Sequence, residues 1–354
     1  MTSLAAALDW PYETKQLVHN VLEGCPNILL GATSITVDRV RSDTLEPPWP
    51  DLVIAASRRS APVARWIKRR SEQSGGRTLL VHLLHAQMPL SGFDLVITQP
   101  QFRLPELPNV LHNVGPLNHI DPNAIADAAD RFRPRVAALP RPWVALNLGG
   151  NSSSYRFTPE VAARLGREAS KSVGSGSLLV CTSPRTPLDS TEALFAAIDC
   201  PSYLYSFKRS DPDNPYRAFL GLADRFIVTV DSASLAVEAC ATGRPVQVFA
   251  WERRHASWYA LSRLLGDADR SPEEPGLAGR AYAGLIYLGL VKPPRDFDAF
   301  HCELRARGLT TSFDDVDKPP AGKPLDDIDR AVERIRALFV NCPMDNQRPA
   351  NEGT

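Results

Sequence analysis

The chain has 354 residues, 44% hydrophobic and 23% charged, enough to bury a substantial core and long enough to favour two domains over one. Its 40 basic and 40 acidic side chains cancel, so no general field for nucleic acid exists and no nucleic-acid partner is expected. Six cysteines form no CxxC pair and no close His/Cys cluster, which argues against a zinc site or a disulfide framework and for a reducing compartment.

No run approaches the roughly 18 apolar residues of a membrane-spanning helix. The opening MTSLAAALDW lacks the basic region and long apolar segment of a secretory signal. The expectation is a cytoplasmic protein, with contact at the periphery of the inner membrane left open.

In chain order, short apolar runs alternate with helical stretches, the signature of parallel α/β layers. The first strands are expected at DLVIAA (51–56), TLLVHLL (78–84), FDLVITQ (93–99) and NVLHNVG (109–115), with a basic helix, APVARWIKRR, after the first. Residues 121–142 predict a helix and then an interdomain linker. A second series of strands follows at 143–149, 177–182, 202–207, 225–230 and 245–249. Thr158 before Pro159, and Asn214 before Pro215, place a capping side chain ahead of a proline at the first helical position. Residues 252–323 give no clear pattern. PLDDIDRAVERIRALF (324–339) is an amphipathic helix with Ile328, Val332, Ile335 and Leu338 on one side. The expected domains are 1–137 and 138–323, with the helix at 324–340 packing across the join and a frayed tail at 341–354.

The stretch TVDSASLAVEACATGRPVQVF carries the strongest functional signal. A buried strand ends in Asp231 and Ser232, either of which could cap the helix that Gly243 ends. Ser232 and Ser234 then sit at the carboxyl edge of a parallel sheet, where open α/β sheets bind ligands. A helix start there suits a phosphate or diphosphate. Glu238, one turn beyond Ser234, is placed to accept hydrogen bonds from a ribose. The plainer alternative is ordinary caps and a solvated glutamate. Three further loops fall at the same edge. LGGNSSSYRF (148–157) brings Gly149, Gly150 and Asn151, whose amides could approach an anion. TSPRTP (182–187) brings Ser183 and Arg185. SFKRSDPDNPY (206–216) could hold a base. In the first half, ASRRSAP (56–62) places Arg58 and Arg59 at a helix start, where the dipole disfavours cations unless an anion is bound. His82 and His85 lie where a general base would be needed, and packing is the plainer role for them, as for Trp66 and Trp143.

The order LNLGGNSS, CTSPRTP, NPYRAFLGLADRFIVTVDSASLAVEACATGRPVQVF, with PPWPDLVIAASRRSAPVARWI before it, resembles the bacterial branch of the mitochondrial fission ELM (elongated mitochondria) family. That family is similar to glycosyltransferases of the B fold: two Rossmann-like domains facing a cleft, with the nucleotide sugar in the carboxyl-terminal one. The resemblance implies that the glutamate and hydroxyl residues around Glu238 hold ribose and diphosphate. Against the family's pattern of a further strand and a Gly-rich turn, this chain starts in the helix SLAAALDW, so that either the true start lies upstream of Met1 or the first βα unit is missing. The resulting expectation is a metal-independent, glycosyltransferase-like protein with no resident cofactor. It would take a nucleotide-diphosphate sugar as donor and an unidentified acceptor, the cell envelope being one source. Its donor site would be Gly149, Gly150, Asn151, Ser183, Arg185, Ser232, Ser234 and Glu238, and its catalytic candidates Arg58, Arg59 and His85. The alternative is a non-catalytic binding or adaptor protein that keeps the pocket or its relic. An epimerase is disfavoured, because neither GxGxxG nor YxxxK is evident, and no DxD-type acidic pair follows a strand as a metal-dependent transferase would need.

Overall fold

The computed structural model describes residues 1–118, 120–254, 277–315 and 321–340, with a few single positions between 257 and 264. Contacts divide the chain into two compact units. The first is Met1–Ile97, Glu106–Leu111 and the chain from Asp326; the second is Thr98–Pro105 and His112–Leu325. Both are α/β units built on parallel sheets.

The first unit contains a four-stranded sheet in the order β1 (Leu52–Ala56), β2 (Leu79–Leu83), β3 (Leu95–Thr98), β4 (Val110–His112). β2 and β3 are buried along their whole length, which is why they read in sequence as unbroken apolar runs. Helix α3 (Ser57–Gln73) begins directly after β1, with Ala56 as its N-cap, and buries Ala61, Pro62, Val63 and Ala64. Helix α1 (Thr2–Leu8) and the short α2 (Asn27–Leu30) precede the sheet. The carboxyl-terminal helix α11 (Asp327–Val340), expected to bridge the two domains, groups with the first unit. There Trp10 meets Phe339 edge-on at 4.9 Å, and Arg336 donates to the carbonyl of Leu8 at 3.1 Å. The tail expected at 341–354 lies outside the described residues.

The turn from β1 into α3 is tight enough to force Ser57 to φ 72°, a left-handed conformation that costs a residue with a Cβ about 1–2 kcal/mol. Ser57→Gly removes that cost but adds unfolded-state entropy, so a net stabilisation of about 0.5–1 kcal/mol is expected. Chemical denaturation measures it; a destabilised variant would show that the serine hydroxyl holds the turn.

The second unit has a six-stranded sheet: β5 (Trp143–Asn147), β6 (Ser177–Cys181), β7 (Ser202–Tyr205), β8 (Arg225–Thr229), β9 (Val246–Phe249) and β10 (Thr311–Ser312). The spatial order is β10-β9-β8-β5-β6-β7, with every pair parallel. Numbered within the unit, this is 6-5-4-1-2-3, the doubly wound nucleotide-binding order. Helices α5 (Pro159–Ser172) and α6 (Leu188–Ala197) pack on each other. Helix α7 (Tyr216–Leu222) packs against α4 (Pro122–Val136), where Phe132 meets Phe219 and Tyr203 edge-on at 5.6 and 5.2 Å. This packing puts α4, expected in the first domain, in the second unit. Helix α8 (Ala233–Cys240) follows β8, and the unpatterned region contributes α9 (Leu277–Tyr287), α10 (Phe297–Ala306) and β10. The cap expected at Thr158 is present, whereas the N-cap of α7 is Pro215, one residue after the expected Asn214, whose side chain still reaches the first helical amide. Thr158 accepts from the Val161 amide at 3.4 Å, and Asn214 Oδ1 from the Tyr216 amide at 3.0 Å.

Candidate functional site

In the second unit β5 and β8 are neighbours, and from this pair the chain winds outward in opposite directions. The crevice beyond their carboxyl ends is the general ligand position of such sheets. Three loops meet there. From β5 comes Gly149–Gly150–Asn151; the Gly149 amide donates to Thr229 Oγ1 at 2.8 Å and the Gly150 amide to Asp231 Oδ2 at 2.9 Å. From β6 come Ser183 and Thr186, whose hydroxyls both donate to the Gly149 carbonyl, Thr186 at 2.7 Å. Arg185 Nη1 donates to Asp231 Oδ2 at 2.7 Å and to the Asn151 carbonyl at 3.3 Å. The Asn151 amide returns a bond to the Arg185 carbonyl at 2.9 Å.

The glycines are demanded by this closeness. A Cβ on Gly149 would lie 2.3 Å from Asp231 Oδ2, and one on Gly150 would lie 2.1 Å from the Arg185 carbonyl oxygen. The amides expected to approach a bound anion are already engaged within the protein. Only the Gly150 amide meets an anion, the protein's own Asp231, which the β5–β8 pairing brings over the loop; the Gly149 amide goes to the Thr229 hydroxyl and the Asn151 amide to the Arg185 carbonyl. The Asp231 side chain is fully buried. Burial pushes its pKa up, against the opposing pull of Arg185, the Thr229 hydroxyl and the Gly150 amide. Arg185 itself remains solvent-exposed, so one cation at the crevice is held rigidly from beneath. At the end of β5, Asn147 is fully buried, and its amide nitrogen and oxygen have no hydrogen-bond partner.

Ser232 is the N-cap of α8, in extended conformation and making no side-chain capping bond, and Ser234 lies in the first turn, half-buried. One turn further, Glu238 is no free surface carboxylate. Its Oε1 accepts from Asn118 Nδ2 at 2.6 Å and its Oε2 from the Tyr216 hydroxyl at 2.5 Å. Burial, and then the Glu238 charge, hold the Tyr216 phenol well above its usual pKa, so it stays a donor. Asn118 and Tyr216 were not among the expected site residues. They come from the β4–α4 connection and the start of α7, and only the fold brings them to Glu238.

The first-unit candidates are engaged locally. Arg58 donates to the carbonyl of Cys25 at 3.1 Å and to that of Glu23, while Arg59 Nε lies 3.2 Å from Glu23 Oε2. The cost of arginines at the α3 start is thus offset at least in part by the 3-10 turn Val21–Gly24. His85 is buried and its Nδ1 accepts from the Gln87 amide at 2.9 Å, so the lone pair a base would use is already occupied. His82 is buried between the carbonyls of Ser57 (3.1 Å) and Leu84 (3.3 Å), and burial pushes its pKa down to about 4. Asn27 Nδ2 donates to the carbonyls of Arg58 and Ala86, both at 2.7 Å, and so ties these two neighbourhoods together.

Sheet order and crevice define a protein of parallel, Rossmann-type α/β units with a ligand-type crevice in the second. The family model described as mitochondrial fission ELM1 matches residues 1–270, and the chain belongs to that family. It is 27% identical over 319 residues to the mitochondrial fission protein ELM1 of Arabidopsis thaliana, covering 83% of this chain and 65% of that protein. The chain thus spans about two thirds of that relative's length. An uncharacterized protein of Rickettsia prowazekii (strain Madrid E) is 24% identical over 284 residues, covering 70% of this chain and 78% of that protein. Among solved structures, a Staphylococcus aureus MnaA–UDP complex is similar at a TM-score of 0.40 and 11% identity, covering 82% of this chain and 76% of that one. A UDP-N-acetylglucosamine 2-epimerase-like protein of Listeria monocytogenes is similar at 0.39 and 13%, covering 82% and 75%. No helix among the described residues is long and apolar enough to cross a membrane.

Proposed function

We propose that the second unit binds the nucleoside diphosphate of a nucleotide sugar and that the protein is glycosyltransferase-like, working without a metal. The observation that carries this reading is Arg185, exposed at the point where the winding of the sheet reverses and fixed at 2.7 Å by a buried carboxylate. Arg185 and the start of α8, with Ser232 and Ser234, are donors suited to a diphosphate and to the charge it gains on leaving. Glu238, with one donor already on each oxygen, keeps a second lone pair on each for ribose hydroxyls. Gly149, Gly150, Asn151 and Ser183 support Arg185 in this scheme and do not touch the phosphate. The first unit would serve the acceptor, with Arg58 and Arg59 as its cations. His85, given its hydrogen bond to Gln87, is the weakest of the catalytic candidates.

One observation favours a second reading, a binding or adaptor protein without turnover: the loop amides after β5 are already satisfied by Thr229 and Asp231. Calorimetric titration with UDP, GDP, ADP and CMP tests the binding on which the first reading depends. One of these nucleotides is expected to bind. Arg185→Ala should weaken it by about 10-fold or more, the scale of a charge-assisted hydrogen bond. Glu238→Gln should weaken the nucleotide while leaving inorganic pyrophosphate unchanged. If the folded protein binds none of the four, the adaptor reading stands in its place.

A further inference from the structure

The loop after β5 is fastened to a second arginine besides Arg185. Ser154 Oγ, three residues beyond Asn151, donates to the Arg295 carbonyl at 3.2 Å. Arg295 is held in place on its other side as well. The next residue, Asp296, caps α10 through the Ala299 amide at 3.0 Å, donates its own amide to the Gln101 carbonyl at 2.8 Å, and pairs with the buried Arg103 at 3.3 Å. The Arg295 guanidinium lies 5.5 Å from the centre of the Phe102 ring, a face contact that holds a cation without neutralising it. Among the described residues no carboxylate pairs with Arg295.

Arg295 keeps a solvent-facing surface although protein crowds round it. Burial lowers its pKa, and the positive charge of Arg185 lowers it further. Arg185 bonds the Asn151 carbonyl at 3.3 Å and the Arg295 carbonyl is bonded by Ser154 at 3.2 Å, so the two arginines flank one short loop, and Asp231 neutralises only Arg185. Like charges held together by separate anchors to one loop are unfavourable unless an anion joins them.

We propose that Arg295 is the second cation of an anion clamp whose first is Arg185, and that the clamp takes a diphosphate, one phosphoryl group to each guanidinium. This rests on the reading of the second unit as a nucleoside-diphosphate site, and it adds a residue from a segment with no recognisable sequence pattern. Two separate cations select pyrophosphate over orthophosphate, whereas a single one discriminates little.

The test titrates inorganic pyrophosphate, orthophosphate, uridine and UDP into the full chain and into Arg295→Ala, Arg295→Lys and Arg185→Ala. Circular dichroism and thermal melting serve as folding controls. The clamp predicts that Arg295→Ala weakens pyrophosphate by about 10- to 100-fold, weakens orthophosphate much less, and abolishes most of the preference between them. Arg295→Lys should recover part of that loss, and the salt dependence of pyrophosphate affinity should become shallower in either alanine variant. If pyrophosphate binds through both arginines while UDP gains nothing over it, the clamp stands and the nucleotide reading falls. If UDP binds and the folded Arg295→Ala variant holds it and pyrophosphate at full strength, the clamp falls and the nucleotide reading stands. Failure of the wild-type protein to bind pyrophosphate or UDP overturns the clamp outright.

Discussion

Gly150→Ala should be among the most damaging single-methyl additions in the second unit, costing about 3–5 kcal/mol. The residue sits at φ 138°, and its new Cβ would lie 2.1 Å from the Arg185 carbonyl oxygen and 2.6 Å from the Thr186 amide nitrogen. Both neighbours are backbone, so no side chain can swing aside. The loop must lift, which separates the Gly150 amide and Arg185 from Asp231 and leaves a buried carboxylate without its donors. Gly243→Ala is the control. That glycine also has positive φ, 70°, but a Cβ there meets nothing within 4 Å, so only the conformational cost of about 1–2 kcal/mol applies. Denaturant melts of both variants, with pyrophosphate titration, measure the difference. A Gly150→Ala protein as stable as Gly243→Ala would mean that the approach of the two loops is not enforced.

The strands were legible because both sheets are parallel and buried, so each central strand is a continuous apolar run bounded by turn residues. β10 was not, because a two-residue strand at Thr311–Ser312 has no period to detect. Its pairing with β9 completes the sheet order. That Arg58 and Arg59 open α3 was legible from ASRRSAP, but what compensates two cations at a helix start was not. The compensating Glu23 and the carbonyls of Glu23 and Cys25 lie more than 30 residues upstream.

The donor loops show a similar split between what is local and what is not. Their positions after β5, β6 and β8 follow from local pattern, and the resemblance to the ELM family added weight to Ser232, Ser234 and Glu238. What the loops bond to depends on which strands are adjacent. Asp231 reaches Gly150 across 81 positions of sequence, and Asn118 reaches Glu238 across 120. No windowed pattern carries that information. Arg295 shows the same limit more sharply, since it is tied to a loop 141 residues earlier through Ser154.

Acid should unfold this protein early, because two histidines are buried in neutral form. His82 in the first unit and His301 on α10 in the second are each pushed from 6.5 down to about 4, chiefly by burial. His301 bonds the Val230 carbonyl at 2.9 Å through Nε2; Arg305 and Arg253 oppose its protonation further, while Asp298 favours it. A histidine with a depressed folded pKa binds fewer protons folded than unfolded. Its stabilising share is therefore complete above pH 6.5 and lost as pH falls toward 4, on the order of 3 kcal/mol for each ring. Asp231, next to Val230, has the opposite sign. Its folded pKa is raised above 3.8, so the folded state holds its proton more tightly and the unit gains stability as pH falls through that raised value. Asp231→Asn should thus steepen the acid limb of the second unit, and His301→Gln, which can still donate to Val230, should flatten it. His82→Gln should flatten the limb of the first unit in the same way. Denaturant midpoints at intervals from pH 7.5 to 4, followed by a probe in each unit, measure these slopes. Midpoints that do not move across that range, or a His301→Gln slope equal to the wild-type slope, would show that the two rings become charged without opening the fold.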